Sequence, residues 1–219
     1  MRTNLVPIVL AVLLSGSALA ATTAEPDPKL TALFDSAWQR DLADNPLAAS
    51  YYGDRRFEDR LPDLSRAAIT ARDAADAQVL RDLASINRAK LSPDDQLSYD
   101  LFQREYTGRI AAQPFKPWLY EIRPSDGPQS LSETAELLPF QTVQDYDKWI
   151  ARLKAIDPYL SQYQDNLLLA IRERRTQPRV IMEKALAQLQ KQLVETPAAS
   201  PFFAPFKPLP ATIPPTERK

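Results

Sequence analysis

Thr142-Val143-Gln144-Asp145-Tyr146-Asp147-Lys148-Trp149-Ile150-Ala151-Arg152-Leu153-Lys154-Ala155-Ile156-Asp157-Pro158 holds the pattern on which the whole chain is built. Thr142 is a residue type whose side-chain oxygen caps a helix, and Asp145 stands where the acid of a capping box belongs. Tyr146, Trp149, Ile150, Leu153 and Ile156 then recur at three- and four-residue spacing, which predicts one buried helical face. Asp157-Pro158 opens a second helix, expected to run to Arg175 with Leu160, Tyr163, Leu167, Leu168 and Ile171 as its stripe. Gln177-Pro178 opens a third, through Val180, Ile181, Leu186, Leu189 and Leu193. Helices joined by proline-marked turns predict an antiparallel bundle.

Towards the N-terminus, residues 130–138 predict a short helix closed by Pro139. Over residues 113–128 periodicity disappears. Pro114, Pro117, Pro124 and Pro128 keep the backbone extended, while Phe115, Trp118, Leu119, Tyr120 and Ile122 supply apolar mass. An ordered segment packed on the core is expected there, with room for a short strand and positioned to line a cleft. Trp118 and Tyr120 are its candidate subsite for apolar side chains; the plainer reading is core.

Ser92-Pro93-Asp94-Asp95 is the strongest helix start: a cap, a first-turn proline and two acids facing the positive end of the dipole. Leu97, Leu101 and Tyr106, with Phe102 and Ile110, form the expected stripe, and Asp100 with Arg104 reads as an i,i+4 pair. Ser65 caps an alanine-rich run over 66–87 with Leu80, Leu83 and Ile86 on one face. Asp27-Pro28 starts the first helix of the mature chain, with Leu30, Leu33, Phe34, Ala37, Trp38 and Leu42 at helical spacing, and Asn45-Pro46 stops it. Between the helices lies Gly53-Asp54-Arg55-Arg56-Phe57-Glu58-Asp59-Arg60-Leu61-Pro62-Asp63-Leu64-Ser65. Arg55, Arg56 and Arg60 are candidates to hold a peptide carboxylate, since a guanidinium binds it in a bidentate way. The competing reading is a self-compensated network with Asp54, Glu58, Asp59 and Asp63.

The composition narrows the chemistry further. The 219 residues carry 20 prolines, 4 glycines, no histidine and no cysteine, with a net charge of −1. Without His or Cys there is no imidazole base, thiolate nucleophile, disulfide or His/Cys zinc site. Without a basic excess, nucleic acid is not an expected partner. No nucleophile elbow or phosphate loop is present. Asp94 and Asp95 diverge on a helix, so a carboxylate-only hydrolase such as a glycosidase finds no facing pair.

Residues 1–20 read as a signal peptide: Arg2, an apolar run over 5–14, and Ala18-Leu19-Ala20 before a cut between Ala20 and Ala21. That run is too short for a confident membrane span, so a periplasmic or secreted protein without a stable membrane anchor after cleavage is expected. At the other end, the prolines and Phe202-Phe203-Ala204-Pro205-Phe206 are too apolar for a disordered tail. Residues 214–219 look like the first turn of a helix, which reads as a chain cut short or, otherwise, as a frayed tail.

In order and spacing, several segments resemble the bacterial family called domain of unknown function 885. They are residues 53–65, Leu91-Ser92-Pro93-Asp94-Asp95 through Leu101, Pro139-Phe140-Gln141-Thr142-Val143, residues 146–153, Pro178-Arg179-Val180 and Ser200-Pro201-Phe202-Phe203. The resemblance covers nearly all of the mature chain but only the first part of the family's usual span. It implies an exported, zinc-metallopeptidase-like hydrolase of the HExxH superfamily whose metal ligands lie in a C-terminal half. Nothing of that motif can be carried onto a sequence without His, so no catalytic or metal residue is assigned here and zinc is expected only in a full-length member. The expectation is therefore an all-α helical bundle of about six to eight helices with proline-rich extended connections. Residues 21–219 would be the family's N-terminal helical region, forming the scaffold and substrate channel for a peptide and inactive alone. The alternative is a stand-alone periplasmic helical binding or scaffold protein, and exposed aromatics at Phe202, Phe203 and Phe206 and on the last helices would favour truncation.

Overall fold

The computed structural model describes residues 25–218 except 121 and 208; the signal segment and its cleavage site lie outside the described residues. The fold is all-α. Its α-helices are α1 (Pro28–Asp44), α2 (Pro46–Tyr51), α3 (Arg66–Ala84), α4 (Pro93–Ala112), α5 (Val143–Lys154), α6 (Ile156–Arg172) and α7 (Arg179–Gln190). Four starts carry the caps expected of them. The Asp27 carboxylate accepts from the amides of Lys29 and Leu30 at 2.9 and 3.0 Å, Ser65 from Ala68 at 3.2 Å and Ser92 from Asp95 at 3.1 Å. Thr142 and Asp145 form the full capping box.

The proline-rich stretch behaves differently from the extended reading. It folds as 3-10 turns at Gln113–Phe115 and Pro117–Tyr120, and the only strand-like pairing among the described residues is a single bridge between Arg123 and Asp126, while the short helix expected over 130–138 forms as the 3-10 segment Pro128–Leu137. Proline's fixed φ suits the first position of such a turn, where its missing N–H has no partner to lose.

In the N-terminal half, α3 packs against both α1 and α4. Leu30, Leu83, Leu91 and Tyr99 form the centre, with Leu33, Phe34, Leu80, Ile86 and Phe102 around them. The α4 face differs from the expected one. Tyr99, Phe102 and Tyr106 turn inward, Phe102 lying 4.5 Å from the Phe34 ring, whereas Leu97 and Leu101 are exposed. The rings win because each buries more apolar surface than a leucine, and the two tyrosines carry a hydroxyl as a polar handle.

The second core joins Leu64, Ile122, Leu131, Tyr159, Tyr163 and Ala185. Here α6 and α7 contribute to one core, as a helical bundle requires, and the 3-10 segments share it. Pro158 lies inside α6, which starts directly after α5, and the close backbone neighbours are Pro117–Tyr120 for α6 and Pro128–Leu137 for α7. The apolar residues Ile122 and Leu131 pack into that core beside α6 and α7. The buried faces rotate accordingly: Asp145, Tyr146, Trp149 and Arg152 on α5, and Tyr159, Tyr163, Asn166 and Ala170 on α6. Ile150, Leu160, Leu168 and Ile171 are left exposed. Phe202, Phe203 and Phe206 are half-buried rather than exposed, because the segment Pro201–Phe206 lies on α5. There the Trp149 indole donates to the Phe202 carbonyl (3.2 Å) and the Tyr146 hydroxyl to that of Pro205 (3.1 Å).

Candidate functional site

The charged loop begins at Gly53, whose φ of 79° is a left-handed turn that glycine adopts without a Cβ penalty. Asp54 then caps the 3-10 turn Arg55–Phe57 through the Arg56 amide (3.0 Å). Phe57 goes into the core and Glu58 is buried beside it. The Arg55 Nε donates to Glu58 (3.0 Å), its Nη2 to Asp145, and Lys148 donates to Glu58 (3.0 Å) and to the Arg55 carbonyl (2.8 Å). Arg56 is held by Asp54 and Gln39. Arg60 stacks over the Phe57 ring at 4.7 Å, with Asp59 at 3.6 Å. Asp63 departs from the pattern, accepting from the Ser65 amide (2.8 Å) and Gln162 (3.0 Å).

Beneath the loop is Arg152 of α5, 1% exposed. Its Nη2 donates to Phe57 O (2.9 Å), Ser50 Oγ (3.0 Å) and Pro46 O (3.5 Å), so one guanidinium ties α2, the loop and α5 together. Asp145 is the acidic counterpart. Burial would raise its pKa, but the Gln141 and Thr142 amides and the Arg55 guanidinium outweigh that and hold it at about 2. A carboxyl depressed from 3.8 stabilises the fold fully above the unfolded value, and the contribution disappears as pH falls through the folded one. Asp145→Asn is expected to cost about 2 kcal/mol at neutral pH, a difference from the parent that shrinks between about pH 4 and pH 2. Urea titrations across that range measure it.

Trp118 and Tyr120 lie elsewhere. The Arg66 guanidinium sits 4.0 Å over the Trp118 ring, and the Tyr120 carbonyl accepts from Gln177 (2.6 Å). Their segment packs on α6, and neither aromatic lines the groove that has Arg60 in its wall. Asp100 pairs not with Arg104 but with Arg88, whose fork meets both carboxylate oxygens at 2.6 Å from the turn before α4. A two-point contact displaces the single-point i,i+4 pair.

A cleft of about 410 Å3 opens between α1, α2 and α3. On one side Arg40 bonds Asp41 (2.9 Å) and Asp76 (2.8 Å), and Arg109 bonds Asp41 (2.9 Å) and Glu105 (2.8 Å). The buried Tyr106 ring underlies both guanidinium groups, at 5.8 and 4.6 Å. On the other side stand the exposed rings of Trp38 and Tyr52, edge to face at 5.1 Å. Two charges in the cleft stay outside the hydrogen-bonded network, although the Arg72 and Arg40 charges act on Asp44 from nearby. Among the described residues nothing hydrogen-bonds or ion-pairs with the Asp44 carboxylate, which burial pushes up in pKa, and Arg72 donates only to the Asp63 carbonyl (2.9 Å). Both also line an adjoining groove of about 460 Å3 that has Arg60 in its wall. The arrangement can pair with both signs of a ligand and stack on an apolar part of it. It has no nucleophile activated by a base.

Residues 46–219 match the family described as "Bacterial protein of unknown function (DUF885)". The chain belongs to that family. No curated protein and no solved structure matches it. Zinc, which the family resemblance implies, does not fit the donors of this DUF885 chain. The sequence offers neither His nor Cys, and among the described residues no three acids come together in a way that could hold a metal. Of the five residues singled out from the DUF885 sequence, Arg60 alone lines a groove of the cleft system. Sequence reasoning missed Arg40, Asp41, Asp44, Arg72, Asp76 and Arg109. The only local signal was Asp44 beside a helix stop, since the others read as ordinary exposed charges on three separate helices.

Proposed function

We propose that this DUF885 chain is the substrate-facing helical part of an exported, zinc-peptidase-like hydrolase, and that it binds peptide without cleaving it. The observation that carries the reading is the cleft, where Asp44 and Arg72 stand outside the ion-paired network of Arg40, Asp41, Asp76 and Arg109. A peptide ammonium suits Asp44, a carboxylate suits Arg72 or Arg60, and an apolar side chain suits Trp38 and Tyr52. Residues 1–20 serve as the export signal, and the hydrolytic zinc is held by residues outside this chain. Among the described residues no helix is long and apolar enough to cross a membrane.

Fluorescently labelled tetrapeptides with free or blocked ends test this reading. Saturable binding without hydrolysis is expected, weakened about tenfold by Asp44→Asn with Arg72→Gln. Hydrolysis by the purified chain, or equal affinity for peptides with free and blocked ends, overturns it. A second reading, the stand-alone helical binding module, draws on the half-buried Phe202, Phe203 and Phe206. Against it stand the exposed Leu160, Leu168 and Ile171 of α6 and Val180 and Leu186 of α7. Strong dye binding and self-association on size exclusion favour the first reading, and a monodisperse, dye-silent protein the second.

A further inference from the structure

The helix α5 has a second face, distinct from the one that carries Arg152. Val143, Tyr146, Asp147 and Ile150 fall at i, i+3, i+4 and i+7, so they form one stripe. Across from them runs the C-terminal segment 201–218, crossing α5 as a strap. It is fastened by the Tyr146 hydroxyl to the Pro205 carbonyl and by the Thr212 hydroxyl to the Gln141 carbonyl (2.6 Å), and Arg218 folds back on the Ile213 carbonyl within the strap (2.9 Å). Ring contacts add to this, with Phe206 5.4 Å from Tyr146 and 5.2 Å from Phe203. Helix and strap do not close on each other completely. They enclose a cavity of about 540 Å3, walled by Val143, Tyr146, Ile150, Phe203, Phe206 and Ile213. That volume lies within the range of small-molecule sites, which are apolar with a few polar groups that fix orientation.

The polar groups here are charged. Asp147 and Glu217 stand at the lining, and among the described residues neither carboxylate has a hydrogen-bond or ion-pair partner. Arg218, the one cation of the lining, directs its donors to the carbonyls of Ile213, Pro210 and Ala211. The lining therefore carries two carboxylates against a single engaged guanidinium beside an apolar chamber. We infer that this cavity is a binding site for a hydrophobic primary amine, its hydrocarbon body held between α5 and the strap and its ammonium between Asp147 and Glu217. The inference is independent of the peptide cleft, which lies among α1, α2 and α3 and shares no residue with this cavity.

Three probes of one skeleton test it: 4-phenylbutylamine, 4-phenylbutan-1-ol and 5-phenylpentanoate, titrated into the full chain and followed by amide chemical shifts. The expected result is saturable shifts confined to residues 143–150 and 203–218, with the amine bound about tenfold more tightly than the acid. Asp147→Asn with Glu217→Gln, both at exposed positions, brings amine and acid to parity while the alcohol is unchanged. Ile150→Trp fills the cavity from its exposed wall and removes binding of all three, and the unchanged spectrum elsewhere shows that the fold is kept. Equal affinity of amine and acid for the parent protein, shifts located elsewhere, or no saturable binding overturns the assignment.

Discussion

Arg152→Ala is expected to lower the unfolding free energy by about 3–5 kcal/mol, measured by urea denaturation followed by circular dichroism. The side chain is almost wholly enclosed, and burial pulls its pKa down to about 10 against the opposing charges of Glu58 and Asp59. Its Nε and Nη1 have no hydrogen-bond partner, so desolvation is only partly offset by the three acceptors on Nη2. Truncation leaves the Phe57 carbonyl and the Ser50 hydroxyl without this donor and opens a void between α2 and α5, both named causes of large losses. Arg152→Met separates the two contributions. It fills most of the volume and removes the desolvation cost, so it is expected to be less damaging than alanine. Equal losses for the two variants would mean that the hydrogen bonds, not the volume, hold the loop. A loss under about 1 kcal/mol for alanine would show that the guanidinium is not the tie described here.

Trp149→Ala is expected to cost a similar 3–5 kcal/mol and to release the strap. Trp149 is 1% exposed, stacks on Phe202 at 6.4 Å, meets Phe140 edge to face at 5.9 Å, and donates its indole N–H to the Phe202 carbonyl. With Tyr146, it is a point at which the proline-rich C-terminal segment is fastened to a helix. Limited proteolysis reads this directly, with new cleavage within residues 197–210 in the variant. Trp149→Phe keeps most of the apolar contact and loses only the N–H, so about 1 kcal/mol is expected. Unchanged protease resistance in the alanine variant would show that the strap is held by other contacts.

The helix starts were legible in the sequence because a cap is a local event. Asp27, Ser65, Ser92 and Thr142 each need only the next three residues to do their work. The helix faces were less legible. Leu97, Leu101, Leu160 and Ile171 lie at helical spacing, yet they face solvent because aromatic residues on the same helices found the partners. Periodicity says that a face exists, and the neighbouring elements choose which one. The cleft was illegible for a related reason. Arg40 and Asp41 sit on α1, Asp76 on α3 and Arg109 on α4, and nothing in any one segment indicates that their charges close on one another. Loop residues fared better, since Asp54 with Arg56 and Glu58 with Arg55 pair within a few positions.

The ties that give the charged loop its shape span 90 residues from Arg55 to Asp145, 90 from Glu58 to Lys148 and 95 from Phe57 to Arg152. They therefore cannot form until α5 exists. As the chain is made from its N-terminus, the loop waits through α3, α4 and the 3-10 segment before its clamp arrives. Closing contacts at that separation is entropically slow. The loop's local pairs, Asp54 with Arg56 and Arg55 with Glu58, can close on their own, but its clamp is completed only by a helix that lies in the other half of the chain.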